Sequence, residues 1–134
     1  MKQLFLLAAV ICFGVAVLKA YTAWMSKTRA KPAYRTLTPE AAKTRLEENP
    51  DIILLDVRTQ EEFGGGHIPG AVCLPNEDIQ PGLPLPFDKD AEILLYCHSG
   101  RRSAKAAEKL ADMGYTRVAN LGGIQDWPYE TTTD

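Results

Sequence analysis

The chain is expected to fold as an α/β domain built on a mainly parallel, five-stranded sheet covered by helices. Two continuous apolar runs, Ile52-Ile53-Leu54-Leu55 and Ile93-Leu94-Leu95-Tyr96, read as strands buried on both faces. Strand and helix signals alternate from residue 36 onward, the order that yields parallel strands with helical crossovers. The 134 residues, 46% hydrophobic and 24% charged, have room for one such core and no more. Three cysteines do not make a disulfide scaffold at this length. A net charge of −2 excludes a generally basic nucleic-acid binder.

That charge is unevenly spread. Residues 1–35 hold six Lys/Arg and no acid, for +6; residues 36–134 hold all seventeen Asp/Glu and balance at −8. The chain is therefore divided into a hydrophobic segment over 1–25, a basic linker over 26–35 and an acidic domain over 36–134. Residues 4–18 carry no charge, and read on to residue 25 the segment is long enough to cross a bilayer. Lys19 can snorkel to the interface, where Tyr21 and Trp24 also fit. The residues near Ala20 make a poor cleavage site, so a retained anchor through residues 4–25 is expected, with a removed signal peptide as the alternative. The basic residues at 27, 29, 31 and 35 favour a cytoplasmic domain; export to the periplasm after cleavage is the alternative.

Within the domain, Tyr34-Arg35-Thr36-Leu37 gives a first short strand. Thr38 caps a helix with Pro39 at its first position, and Asn49-Pro50 ends it. After the strand over 52–55 come Asp56-Val57-Arg58, then a capping box, Thr59-Gln60-Glu61-Glu62, which opens a short helix broken at Gly64. Ala71-Val72-Cys73-Leu74 is a short strand. Residues 75–90 carry Pro75, Pro81, Pro84 and Pro86 and read mostly as loop. The strand over 93–96 runs into Cys97-His98-Ser99-Gly100-Arg101-Arg102-Ser103, and a helix follows through Met113, closed by Gly114. Arg117-Val118-Ala119-Asn120 is the last strand, with Leu121-Gly122-Gly123 as a turn before a short helix at 124–127.

Cys97 thus stands where a buried strand ends and a helix begins, the place where open α/β sheets bind ligands. Loop N–H groups and the positive helix end converge there. With Arg101 and Arg102 alongside, the thiol is expected to be acidified. Gly100 lets the loop fold tightly, and Ser99 and Ser103 add hydroxyl donors. Arg101, Arg102, Lys105 and Lys109 make a positive cluster that attracts a small anion to an otherwise acidic body. The competing reading is a buried cysteine that only fills space.

Four stretches resemble a single-domain rhodanese: Asp56-Val57-Arg58-Thr59-Gln60-Glu61-Glu62-Phe63, Gly66-His67-Ile68-Pro69-Gly70-Ala71, Tyr96 through the Cys97 loop to Ser103, and Gly122-Gly123-Ile124-Gln125-Asp126-Trp127. The resemblance covers residues 36–128 and implies a three-layer rhodanese-like domain acting as a sulfurtransferase. Cys97 would take sulfur from a small anionic donor such as thiosulfate, hold it as a persulfide and pass it to cyanide, a thiol or a protein acceptor. His98, Ser99, Gly100, Arg101, Arg102 and Ser103 would bind the substrate, with Arg101 or Arg102 orienting its sulfonate. Asp56, Arg58 and His67 would be structural support, and Trp127 would close the core. The resemblance implies no metal, no organic cofactor and a monomer.

Cell-cycle phosphatases and arsenate reductases offer a second reading, but their loop is Cys-x5-Arg, and the position that needs arginine is Ser103. The third reading is a non-catalytic binding module, against which the retained Cys97 argues. Cys97, His98, Cys73 and His67 lack zinc-site spacing, and the chain has no Cys-x-x-Cys. Cys73 stands where relatives commonly carry a polar residue; it is read as a small strand residue, with a resolving thiol for Cys97 as the alternative.

Overall fold

The computed structural model describes residues 2–28 and 33–134. The chain divides into two compact units, Met1–Lys31 and Pro32–Asp134. Of the expected linker over 26–35, residues 29–32 lie outside the described residues, 26–28 continue the first helix and Arg35 opens the first strand. In the first unit, helix α1 runs over Lys2–Thr28. Its stretch Leu6–Lys27, with mean hydropathy 2.0, is long and apolar enough to cross a membrane, and a signal segment has the same character. Tyr21 and Trp24 stack near its end.

The second unit is an all-parallel sheet of five strands in the order β1-β5-β4-β2-β3. They are β1 (Arg35–Thr36), β2 (Ile53–Asp56), β3 (Val72–Cys73), β4 (Glu92–Cys97) and β5 (Arg117–Gly123). Every crossover is long enough to return the chain in the same direction; β4 is the central strand, wholly buried between β5 and β2. Helix α2 (Pro39–Glu48) is capped by the Thr38 hydroxyl, which accepts from Ala41 N at 3.1 Å. Helix α3 (Gln60–Gly64) starts on the Thr59–Glu62 capping box. Helix α4 (Arg101–Asp112) follows the cysteine loop.

The sheet separates two apolar layers. Leu55, Val57, Ile93, Leu95 and Cys97 face Ala106, Ala107 and Leu110 of α4. On the other face Leu54, Leu94, Tyr96, Ala119 and Leu121 pack with Ala42 of α2, Ile68 and Trp127. Residues 75–90 are loop except for a 3-10 turn over Asn76–Asp78.

One expectation is corrected. Leu121, Gly122 and Gly123 are not a turn but the end of β5. Leu95 pairs with Asn120 and Tyr96 with Gly122, so Leu121 is an extra residue that shifts the register. Two glycines in sequence suggest a turn; here the strand continues and its glycines serve a close approach.

Candidate active site

Cys97 is the last residue of β4 and has no solvent exposure. His98 and Ser99, both exposed, lead to Gly100, the N-cap of α4, at φ 96. A side chain is excluded there twice over, since a Cβ would also lie 3.2 Å from Gly122 Cα. At Gly123 a Cβ would run into the His98 carbonyl oxygen and stand 2.6 Å from Ser99 Cα. The loop therefore lies directly on the end of β5. That contact turns its N–H groups onto the sulfur: Gly100 N donates to Cys97 Sγ at 3.0 Å, and the Ser103 hydroxyl lies at 3.5 Å.

Burial alone pushes the Cys97 thiol up. The Ser103 side chain and the backbone N–H groups of Ser103, Gly100 and Ser99 outweigh it, so the pKa is lowered from the ordinary thiol value. The donors that act most strongly are thus the loop and the helix N-terminus. The arginines expected to do this work are placed otherwise. Arg102 is tied to the Glu62 carboxylate by two hydrogen bonds, Nη1 to Oε1 at 2.7 Å and Nη2 to Oε2 at 2.9 Å. Arg101 is exposed and forms no ion pair among the described residues. Of the remaining cations in the expected cluster, Lys109 donates to the carbonyl and side chain of Asn76, and Lys105 is exposed.

Asn120 is a site residue that the sequence reading missed. Its Oδ1 accepts from the Ser103 hydroxyl at 2.8 Å and from Gly122 N at 2.9 Å, while Nδ2 donates to Gly100 O at 3.3 Å. One side chain thereby joins β5, the loop and the first turn of α4. Glu62 was read only as a capping residue. Nothing in the local sequence ties it to Arg102, forty positions on.

Asp56 and Arg58 form a buried pair. Arg58 Nη2 donates to Asp56 Oδ2 at 2.6 Å and to Gly66 O at 2.7 Å. Tyr96 lies in the same layer, its hydroxyl accepting from Ile68 N at 3.0 Å. His67 is buried and stacked on Phe63, its ring nitrogens 2.8 Å from Phe63 O and 3.0 Å from Asp134 O. None of these four side chains hydrogen-bonds Cys97. Their contacts hold the segment between β2 and β3.

Cys73 is half-buried on the edge strand β3, and β2 lies between it and β4. Two inter-strand steps of about 4.8 Å put Cys73 and Cys97 beyond disulfide reach. Cys73 and Tyr96 are both in register with Asp56, so Cys73 belongs to the opposite face from Cys97. A resolving role would need β3 to move. Burial raises the Cys73 thiol pKa, opposite to Cys97.

The model of the rhodanese-like domain matches residues 38–129. The chain belongs to the rhodanese-like family. It is 42% identical over 89 residues to a sulfurtransferase of Allochromatium vinosum, covering 66% of this chain and 82% of that one. It is 37% identical over 73 residues to the thiosulfate sulfurtransferase PspE of Escherichia coli, covering 54% and 70%. Among solved structures, a rhodanese-like domain protein of Staphylococcus aureus superposes with TM-score 0.63 at 34% identity, covering 72% and 93%. A rhodanese-related protein of Thermoplasma volcanium gives 0.65 at 26% identity, covering 75% of this chain and all of that one. The three-layer rhodanese-like fold is thereby established. The relatives named as sulfurtransferases support sulfur transfer as the activity of this rhodanese-like domain in general terms.

Proposed function

We propose that this rhodanese-like domain carries sulfane sulfur as a persulfide on Cys97, taking it from thiosulfate or a similar anion. The observation that carries the reading is the donor set on Sγ: a backbone N–H at 3.0 Å from a loop fixed between β4 and α4. The Cys97 thiolate attacks the outer sulfur of the donor. The new S–S bond forms as the old one breaks, and sulfite leaves with the bonding electron pair. In the second half, cyanide or an acceptor thiolate attacks the terminal sulfur and Cys97 departs as thiolate. No net oxidant is needed, since sulfur at the zero-valent level passes from one partner to the other. The same N–H groups stabilise negative charge on Cys97 before and after each step, as an oxyanion hole does for oxygen.

The loop length supports sulfur over phosphate. A phosphate loop puts an arginine six residues after the cysteine, where this chain has Ser103, and the Ser103 hydroxyl points back to Sγ. Thiosulfate is the donor named for the Escherichia coli relative, and the reading assigns the exposed Arg101, in the first turn of α4, as the cation for such an anion.

The test is the mass of the purified full chain after thiosulfate. The Cys97 peptide should gain about 32 Da, removable by cyanide or a reductant. Cys97→Ser should carry no adduct and lose sulfur transfer by about a thousandfold or more, with melting changed by only a few degrees, because serine keeps the side chain small. Sulfur transfer retained in Cys97→Ser would overturn the reading.

A further inference from the structure

Four cations were expected to crowd the cysteine loop, yet the one beside Ser103 is already spoken for. The Arg102 guanidinium meets Glu62 end-on, with both carboxylate oxygens engaged. Glu62 Oε1 also accepts from Thr59 N at 3.3 Å and the Thr59 hydroxyl at 3.2 Å, so the capping box of α3 fixes the acid in place. About a third of each side chain is open to solvent. An ion pair so exposed adds little to stability. It does, however, join the start of α3 to the first turn of α4, the turn whose N–H groups face Cys97. Arg102 also lies within electrostatic reach of the sulfur: after Glu62, the Cys97 thiolate is among the charges that raise its pKa, with Glu77 behind it. The carboxyl of Glu62 is held down to about 2, first by Arg102. The clamp is therefore closed at every pH at which a thiolate forms.

We propose that Glu62 is a positioning residue that sets the donor affinity of the Cys97 site: by clamping Arg102 it withholds that guanidinium from the bound anion and leaves Arg101 as the cation that meets it. The inference rests on the persulfide reading and adds a regulator of donor binding to it. Without Glu62 a second guanidinium is free to turn toward the anion. The site would then hold donor and released sulfite more tightly, and product release would slow.

The experiment compares full chains carrying Glu62→Gln, Glu61→Gln, Arg102→Gln and the Glu62→Gln/Arg102→Gln pair. Glutamine keeps the capping hydrogen bond and removes the charge. Glu61 is exposed on the same helix and gives the same change of net charge. The readouts are donor KM and kcat, and the affinity for sulfite, measured as protection of Cys97 from iodoacetamide. Glu62→Gln should bind sulfite about three- to tenfold tighter and lower the donor KM similarly, with kcat reduced. Glu61→Gln should stay within about twofold of the parent, and the gain should vanish in the double variant. A merely structural glutamate would raise KM when lost and would show no dependence on Arg102. If Glu62→Gln binds sulfite no better than Glu61→Gln, the clamp proposal is overturned even where the parent forms its persulfide. If sulfite binding tightens as expected but the parent never forms a persulfide, the clamp stands and the transfer mechanism falls.

Discussion

Strand β4 places a buried nucleophile at one end and a buried acid at the other, and the two are stabilised by different means. Glu92, only 5% exposed, accepts from Arg45 Nε at 3.1 Å and from Arg117 Nη2 at 3.1 Å. Cys97, wholly buried, is faced by peptide N–H groups and a hydroxyl. Arginines are not scarce near Cys97. Arg102, in the first turn of α4, is matched to the Glu62 carboxylate rather than to the sulfur. A charge that only has to stay put can be locked in a full ion pair. A thiolate has to give up its electron pair, and its nucleophilicity falls as its pKa falls. Uncharged donors lower the pKa of a buried thiol less than a full charge at the same distance would, so less of its nucleophilicity is given up, and they stay in place when the leaving group takes its charge away.

Three changes would break or sharpen this contrast. The largest effect is expected from Gly123→Ala. The added methyl would displace the His98–Ser99 backbone, and the N–H groups would lose their aim at the sulfur. Sulfur transfer should fall by about a hundredfold, with melting several degrees lower. Steady-state rates together with a melting curve check this; activity within about threefold of the parent would show that the contact with β5 does not set the loop.

A smaller effect follows from Ser103→Ala, which leaves the backbone donors in place. The hydroxyl favours the thiolate, so its loss should move the Cys97 pKa upward, toward the ordinary thiol value. Alkylation by iodoacetamide should then be about three- to tenfold slower on the acid side of the parent midpoint. The two rates should converge well above both midpoints, where each thiol is fully ionised. An unchanged midpoint would mean that backbone alone tunes the thiol. The third change acts at the opposite end of β4. Glu92→Gln should lower melting by about 4–8 °C, the shift that a loss of about 1 kcal/mol gives in a domain of this size. Sulfur-transfer kcat/KM should stay within about twofold. A proportional loss of activity would mean that the ends of β4 are not independent.

What the sequence disclosed follows the same division between local and long-range interactions. The apolar runs of β2 and β4 and the caps at Thr38 and Thr59 are local features, and all four are found where the residues put them. Cys97 could be placed at a strand end, and Gly100 at a tight turn, because both depend only on neighbours in the chain. Asn120 was hidden because its role exists only once β5 lies beside β4 and its side chain turns toward Ser103. Glu62 is legible as a capping acid, whereas Arg102, expected at the substrate anion, is tied to Glu62. Their pairing depends on two crossovers packing side by side. Leu121 misled through composition: the pair of glycines after it suggested a turn, while the register shift keeps the strand going.

The strand order has a consequence for the time at which the domain can form. Arg35 and Thr36, the first strand, pair only with Ala119 and Asn120 of the last one. The centre of the sheet is β4, flanked by β2 and by β5, and β4 and β5 are the last two of the five strands in chain order. Strands β2 and β3 can pair early, but they close no core until α4 and β5 arrive. Such non-local pairing makes folding slow and sensitive to interruption. A chain halted before residue 117 would leave one edge of β4 unpaired and the second apolar layer without Ala119, Leu121 and Trp127. Synthesis must therefore pass β5 before this domain is safe from aggregation.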